Sequence, residues 1–238
     1  MNKEEFIINL KQINVELNEK QLEMLEIYAN FLMEYNSHTN LTAIKEKNEI
    51  YLKHFYDSLT LVKGIDLNAI NSLVDIGTGA GFPGMVLKIV YPHLNVVLID
   101  SNNKKVTFLK QLIEKIQLQN VEAINVRSEE YARKHLDSFD LVTARAVSNM
   151  RILSELCLPL VKIGGYFIPL KGNVIEELDI ATDLIKKLNG TVEEIISFTL
   201  PVENSTRNIV KIKKNGSTPK GYPRLYDKMQ KELKKYQK

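Results

Sequence analysis

Leu73-Val-Asp-Ile-Gly-Thr-Gly-Ala-Gly-Phe-Pro-Gly84 is the stretch on which the reading of this chain turns. It reads as a short buried strand entering a glycine-rich turn, which feeds a helix through Met85, Val86, Leu87, Ile89 and Val90. Strand, glycine turn and helix in that order open a nucleotide-type cofactor site. The glycines allow a tight turn and let a ligand approach where a Cβ would stand in the way.

Two cofactor classes fit such a turn. Gly79-Ala-Gly81-Phe-Pro-Gly84 matches G-x-G-x-x-G, so a dinucleotide, and with it an NAD(P)-dependent oxidoreductase, has to be considered. Two residues argue against it. Asp75 ends the strand, and a carboxylate there repels a pyrophosphate at a helix N-terminus, where anions are otherwise welcome. Pro83 removes an N–H that a phosphate would use. A ligand carrying an ammonium and a sulfonium suits Asp75 better. Asp100 ends the next strand-like run, Val96-Val-Leu-Ile-Asp100, where a carboxylate binds ribose hydroxyls. Asp75, Gly77, Gly79, Gly81 and Asp100 together favour S-adenosylmethionine, with Phe82 packing on or covering it. A strand-turn-helix with no ligand is the plain alternative, but strand-end acids are poor core residues.

Working outward, the alternation of strands and helices continues. Strands are expected at 72–76, 95–100, 121–126, 139–144 and 164–170, with helices at 83–91, 102–117, 128–135, 149–160 and 173–189. That alternation means an α/β fold with a parallel sheet. Two further runs, 192–200 and 207–212, have no helix between them and read as an antiparallel hairpin at the sheet edge. Before the sheet, Asn2 with Glu5 and Asn18 with Gln21 mark two helix starts. The second helix carries adjacent stripes, Leu22, Leu25, Ala29, Leu32 and Met24, Tyr28, Phe31, Tyr35, hence a broad buried face. A third helix is expected from about Asn48 to Val62. The organisation is then a helical cap over residues 1–65, an α/β domain over 66–213 and a C-terminal tail over 214–238.

Ligands of open α/β sheets sit outside the carboxyl ends of the strands. Those ends offer Asp75, Asp100, Ser128 and Glu129 (a place for adenine), Arg145 and Lys171. A surface salt bridge is the plain alternative for Arg145 and Lys171.

Composition bounds the rest. In 238 residues, 44% are hydrophobic and 26% charged, which suits a folded globular chain. One cysteine, Cys157, excludes a disulfide framework, and four scattered histidines form no metal-binding pair; no metal is expected. No apolar run reaches membrane-spanning length, and the mixed-charge N-terminus is unlike a signal peptide, so a cytoplasmic location is expected. Net charge is +3, unevenly spread: residues 214–238 hold eight Lys/Arg and two Asp/Glu, or +6, leaving −3 for the remainder. A basic tail suggests a polyanion, or else a solvated, frayed terminus.

Asn40-Leu-Thr, His54-Phe-Tyr-Asp-Ser-Leu59, the 75–84 turn, Asp100-Ser101, Ala144-Arg-Ala-Val147, Leu170-Lys-Gly172 and Thr218-Pro-Lys-Gly-Tyr-Pro-Arg224 together resemble the RsmG (GidB) family of bacterial 16S ribosomal RNA guanine-N7 methyltransferases. The match runs from about residue 2 to 224. The resemblance implies a class I S-adenosylmethionine-dependent methyltransferase fold, Rossmann-like with a helical cap. It implies that Gly77, Phe82, Ser128, Glu129 and Arg145 contact S-adenosylmethionine, and that the acceptor is a guanine in a small-subunit rRNA loop near the decoding centre. After Arg224 the chain departs from that pattern: 225–233 reads as a short amphipathic helix where a Pro/Lys-rich tail is expected.

The residues agree with N7 chemistry. Guanine N7 carries a free lone pair and can attack a sulfonium methyl without first losing a proton, so alignment matters more than a general base. No Asp/Asn-Pro-Pro-aromatic motif is present, and Cys157 lies among Leu156, Leu158 and Pro159 as a core residue. Candidates for catalysis are Arg145, Asn40 and His54, with Asp57 beside them; for His54, a hydrogen-bonded helix histidine is the plain alternative. Lys171, Arg207, Lys220 and Arg224 are candidate RNA contacts. The partner is expected to be small-subunit rRNA or a ribosomal particle, with no membrane, and the protein a monomer. Oxygen and small-molecule acceptors are the remaining methyltransferase alternatives, and an RNA-associated binding module that has lost activity the non-enzymatic one.

Overall fold

A computed structural model describes residues 1–145 and 148–236; Ala146 and Val147 of the Ala-Arg-Ala-Val motif lie outside the described residues. The chain opens with α1 (Lys3–Gln12) and α2 (Glu19–Thr39). Both begin with reciprocal capping boxes, Asn2 with Glu5 and Asn18 with Gln21, which satisfy orphan amides at the helix starts. Leu25, Tyr28, Ala29 and Leu32 of α2 are fully buried, while Phe31 and Tyr35 are partly covered, as a wide apolar face requires.

The expected third helix is not uniform. It begins at Lys47–Glu49, widens to π geometry over Ile50–Tyr56, returns to α over Asp57–Leu59 and tightens to 3-10 over Thr60–Lys63. π segments are rare and concentrate near functional sites. This one carries His54, followed at once by Asp57.

The sheet has seven strands: β1 (Ser72–Ile76), β2 (Asn95–Asp100), β3 (Val121–Asn125), β4 (Phe139–Arg145), β5 (Val161–Lys171), β6 (Gly190–Thr199) and β7 (Thr206–Lys214). Their order is β3-β2-β1-β4-β5-β7-β6. The first five are parallel, and β7 runs antiparallel between β5 and β6. The chain leaves β1 toward β2 and β3, then crosses back to β4. The switch point therefore lies between the carboxyl ends of β1 and β4, where such sheets bind ligands.

Each face of the sheet has its own core. On one, Leu73, Val96 and Leu98 pack with Leu109, Leu112 and the cap residues Phe6, Leu25, Tyr28 and Phe55. On the other, Val74, Ile76 and Ile99 pack with Met150–Cys157 and with Met229 and Leu233 of the C-terminal helix, Tyr226–Leu233. Alternation along β1 assigns the faces: Val74 and Ile76 point one way, Leu73 and Asp75 the other. The expected single helix over 173–189 is broken into Ile175–Asp179 and Thr182–Lys187. At the break, Arg151 Nη1 donates to the Ile180 carbonyl at 2.6 Å.

The glycines of the turn divide their work. Gly77, Gly79 and Gly81 all have positive φ. A Cβ on Gly81 would lie 2.6 Å from the Tyr28 hydroxyl and 2.9 Å from Leu109 and Met85, whereas one on Gly79 would meet nothing within 4 Å. Gly81 is thus required by packing, and Gly79 leaves an open face beside the turn. Gly81→Ala should cost about 3 kcal/mol or more, combining left-handed strain with overpacking, whereas Gly79→Ala should cost about 1 kcal/mol. Thermal unfolding of both variants checks this; equal losses would refute the division.

Candidate active site

Two buried acids hold the turn from below. Asp75 Oδ2 accepts from Thr78 Oγ1 at 2.7 Å and from the Gly84 amide at 2.8 Å. Asp100 Oδ1 accepts from the Asn102 amide at 2.8 Å, and Oδ2 from the Gly79 amide at 3.0 Å. From the cap side, the Tyr28 hydroxyl donates to the Ala80 carbonyl. The Asp75–Gly84 bond bears on the cofactor class, because the N-terminus of helix Gly84–Val90 is already engaged by the protein's own carboxylate. A pyrophosphate would meet that carboxylate where it needs an amide.

Asp75 is fully buried, and its Oδ1 has no partner among the described residues. Burial, eased only in part by Thr78, Gly84 and Arg145, weakens it as an acid and pushes its carboxyl up to about 7. Asp75 therefore lies beneath the turn rather than on a cavity wall, and the contact the structure records for it is with the turn itself.

On the β1–β3 side of the sheet, a cavity of about 320 Å³ is lined by Gly77, Asp100, Ser128 and Glu129, together with Ser101, Lys105, Arg127, Leu156 and Tyr226. Glu129 is buried and its Oε1 accepts from Arg127 Nε at 3.2 Å. Four of the sequence-derived cofactor residues thus converge on one concave site. Ser101 and Arg127 follow strand ends and were legible by that rule. Tyr226 lies about 100 residues further along the chain than Arg127, and nothing in the local sequence announces it.

On the β4–β5 side, a cavity of about 530 Å³ is lined by Lys53, His54, Asp57, Arg145, Lys171 and Arg207, among others. Arg145 Nη1 donates to the Lys53 carbonyl at 2.7 Å and to Asp57 Oδ2 at 3.1 Å, and Nη2 lies 3.1 Å from His54 Nδ1. Arg207 Nε donates to Asp57 Oδ1 at 3.1 Å. Asp57 is the hinge between two guanidinium groups. Because arginine only donates, His54 Nδ1 must accept, so Nε2 carries the proton toward Thr42 Oγ1, 3.1 Å away. Burial first, then the Arg145 charge, pushes His54 down to about 3.

The remaining candidates are placed differently. Phe82 is buried, not on the first cavity; it is stacked between Tyr28 and His54, at 5.4 and 4.1 Å between ring centres, with the Arg145 guanidinium 5.1 Å from its ring. Asn40 is exposed, caps the C-terminus of α2 at φ 53°, and lines a separate depression with Met33 and Lys45. It does not join Arg145 and His54. Lys171 is engaged by Glu177 at 2.7 Å and the Ser148 carbonyl at 2.9 Å. Arg224 is held inward by Glu155 at 2.5 Å and by Glu232. Lys220 is exposed, as are Lys228, Lys231, Lys234 and Lys235.

Two measurements check this electrostatic picture. His54 should stay neutral with its proton on Nε2 from pH 5 to 8, read from imidazole nitrogen shifts by NMR; titration in that window would contradict it. For Asp75 the folded acid is weaker than the unfolded one, whose ordinary value is 3.8. Its contribution to stability is therefore complete below about pH 4 and lost as pH rises through about 7. Asp75→Asn should flatten the fall in melting temperature between those limits, and a slope equal to wild type would count against it.

Comparison with known proteins places the chain in a family. The family description "rRNA small subunit methyltransferase G" (GidB) matches residues 21–210. "Ribosomal RNA small subunit methyltransferase G" of Bacillus subtilis is 48% identical over 227 residues, 94% of this chain and 95% of that protein. The protein of the same name from Lachnoclostridium phytofermentans is 49% identical over 222 residues, 92% of each chain. Among solved structures, a SAM dependent methyltransferase from Aquifex aeolicus superposes with TM-score 0.53 at 17% identity, covering 73% of this chain and 97% of its own. A putative methyltransferase from Bacillus halodurans gives 0.55 at 14% identity, covering 67% and 99%. At such identities these two speak for the fold alone, which is that of an S-adenosylmethionine-dependent methyltransferase with a mostly parallel sheet and one antiparallel hairpin. By sequence over nearly its whole length, the chain belongs to the rRNA small subunit methyltransferase G (GidB) family.

Proposed function

We propose that this protein transfers the methyl group of S-adenosylmethionine to N7 of a guanine in small-subunit (16S) ribosomal RNA, near the decoding centre. The observation that carries the reading is the pair of cavities at the sheet's switch point. One is lined by Gly77, Asp100, Ser128 and Glu129, and the other by Lys53, Arg145, Lys171 and Arg207 with His54 and Asp57. The donor fits the first: Asp100 offers a carboxylate for ribose hydroxyls, Ser128 and Glu129 offer polar groups for adenine, and Gly77 brings the backbone of the turn to the cavity wall. When bound, the donor supplies an electrophilic methyl on a sulfonium.

The residues of the chain then align rather than deprotonate. With the donor bound, the N7 lone pair would take the methyl as its bond to sulfur broke, with no proton to be released, so that alignment is what the residues would have to supply. Arg145, fixed by Lys53, His54 and Asp57, presents its guanidinium to the acceptor side. Such a fork suits guanine O6 or a phosphate. Neutral His54 neither repels the sulfonium nor removes a proton; it holds Arg145 in place. Asp57 keeps Arg207 beside Arg145, and the exposed lysines 220, 228, 231, 234 and 235 are the phosphate contacts in this reading, Lys171 being held by Glu177 and the Ser148 carbonyl. Residues 1–65 act as a cap, 66–213 as the transfer domain, and the protein works as a monomer in the cytoplasm.

Asp100→Ala should weaken S-adenosylmethionine binding by roughly 1–3 kcal/mol, the cost of unpaired polar groups. Unchanged affinity by calorimetry would remove Asp100 from the donor site. For the reaction itself, labelled methyl groups should appear at one guanine in small-subunit RNA or particles from cells lacking the protein, located by chain cleavage specific for N7-methylguanine. Donor binding without incorporation into either substrate would discard RNA as the acceptor and leave a small molecule.

A further inference from the structure

The C-terminal segment forms the short amphipathic helix read from 225–233, and the structure turns its central charges inward, although its composition suggests a polyanion contact. The Arg224 backbone amide and Nε both donate to Glu155 Oε1 at 2.8 Å, and its Nη2 donates to Glu155 Oε2 at 2.5 Å. Glu155 is 1% exposed. Glu232 joins Arg224 to Arg151, and Arg151 reaches on to Asp183. Arg133 Nε donates to the Pro223 carbonyl at 3.1 Å. Met229 and Leu233 are buried in the second core, the one that includes Leu156. Leu156 lines the donor cavity, as does Tyr226, the first residue of the C-terminal helix. The Tyr226 hydroxyl accepts from Gln230 Nε2 at 2.9 Å, and the Arg127 guanidinium lies 4.8 Å from the ring centre.

We propose that Tyr226 is a donor-binding residue, presented by a clasped C-terminal helix as the wall of the cavity that receives the adenine, so that donor binding and helix docking stabilise each other. This rests on the S-adenosylmethionine reading of the cavity. Asp100 and the glycine turn mark the ribose end of that cavity, and Ser128, Glu129, Arg127 and Tyr226 mark the end beyond β3. Adenine is flat and aromatic, and it packs well against a tyrosine ring and a guanidinium plane. Two-way stabilisation follows from linkage: whatever the docked helix adds to donor affinity, the donor adds to docking. The Arg224–Glu155 and Glu232–Arg151 pairs set the helix in register, which makes them positioning residues for Tyr226.

Calorimetry with S-adenosylhomocysteine, together with trypsin cleavage at Lys228 and Lys231 in the intact chain, tests this. Tyr226→Ala should raise the dissociation constant roughly tenfold, with Tyr226→Phe within about threefold of wild type, since the ring rather than the hydroxyl makes the wall. In the wild type, S-adenosylhomocysteine should slow tail cleavage severalfold, and Tyr226→Ala should lose most of that protection. Wild-type affinity in a folded Tyr226→Ala overturns the proposal. So does a wild-type cleavage rate indifferent to S-adenosylhomocysteine, a test that stands even if the alanine variant does not fold. A wild-type protein that binds neither S-adenosylmethionine nor S-adenosylhomocysteine overturns the donor reading itself, and this inference with it.

Discussion

Asp75 accepts from Thr78 and Gly84 while fully buried, and Asp100 accepts from Gly79 one strand away. These bonds hold the turn, along with its own backbone hydrogen bonds and the Tyr28 hydroxyl on the Ala80 carbonyl. Three glycines at positive φ confer freedom, not rigidity. Anchoring that turn from both strands converts a flexible segment into a fixed one. Its first glycine then faces the donor cavity, and its Phe82 reaches across to the cap. Burying Asp75 is costly, which is why its acidity shifts as far as it does. The hydrogen bonds from Thr78 and Gly84 keep the Asp75 side chain in place where an anionic ligand would otherwise settle.

Phe82 is the link between the two halves of the site. Its ring lies between Tyr28 of α2 and His54 of the π segment, and Arg145 stands over it. Phe82 thus puts the glycine turn in contact with His54 and Arg145, which line the β4–β5 cavity. Asp57 extends the same chain of contacts to Arg207 on β7. The β4–β5 cavity draws its polar side chains from the π segment (Lys53 and His54), the turn of helix after it (Asp57), β4 (Arg145), β5 (Lys171) and β7 (Arg207). Its cations are set by hydrogen bonds before any substrate arrives, as electrostatic preorganisation requires.

The fold was legible because hydrophobic periodicity is local. Five parallel strands, the terminal hairpin and two capping boxes follow from residue spacing alone. So do Asp100, Ser128, Glu129 and Arg145, because the strand-end rule converts a sequence position into a spatial one. Where that rule is silent, spacing misleads. Asn40 looked like a polar group aimed at the acceptor, but its left-handed conformation makes it a helix cap. The 173–189 run broke where Arg151, from another helix, took a backbone carbonyl.

Chain chemistry by itself determined the sheet, the glycine turn and the strand-end acids, since each depends on neighbours a few residues away. Tertiary structure alone decided where charge is spent. Arg224 and Tyr226 sit in a tail whose composition suggests a free basic arm. Buried Glu155 and the apolar seat for Met229 and Leu233 fold that tail back over the cavity. Composition counts charges, but only the fold pairs them, because an ion pair spanning 69 residues has no trace in local sequence.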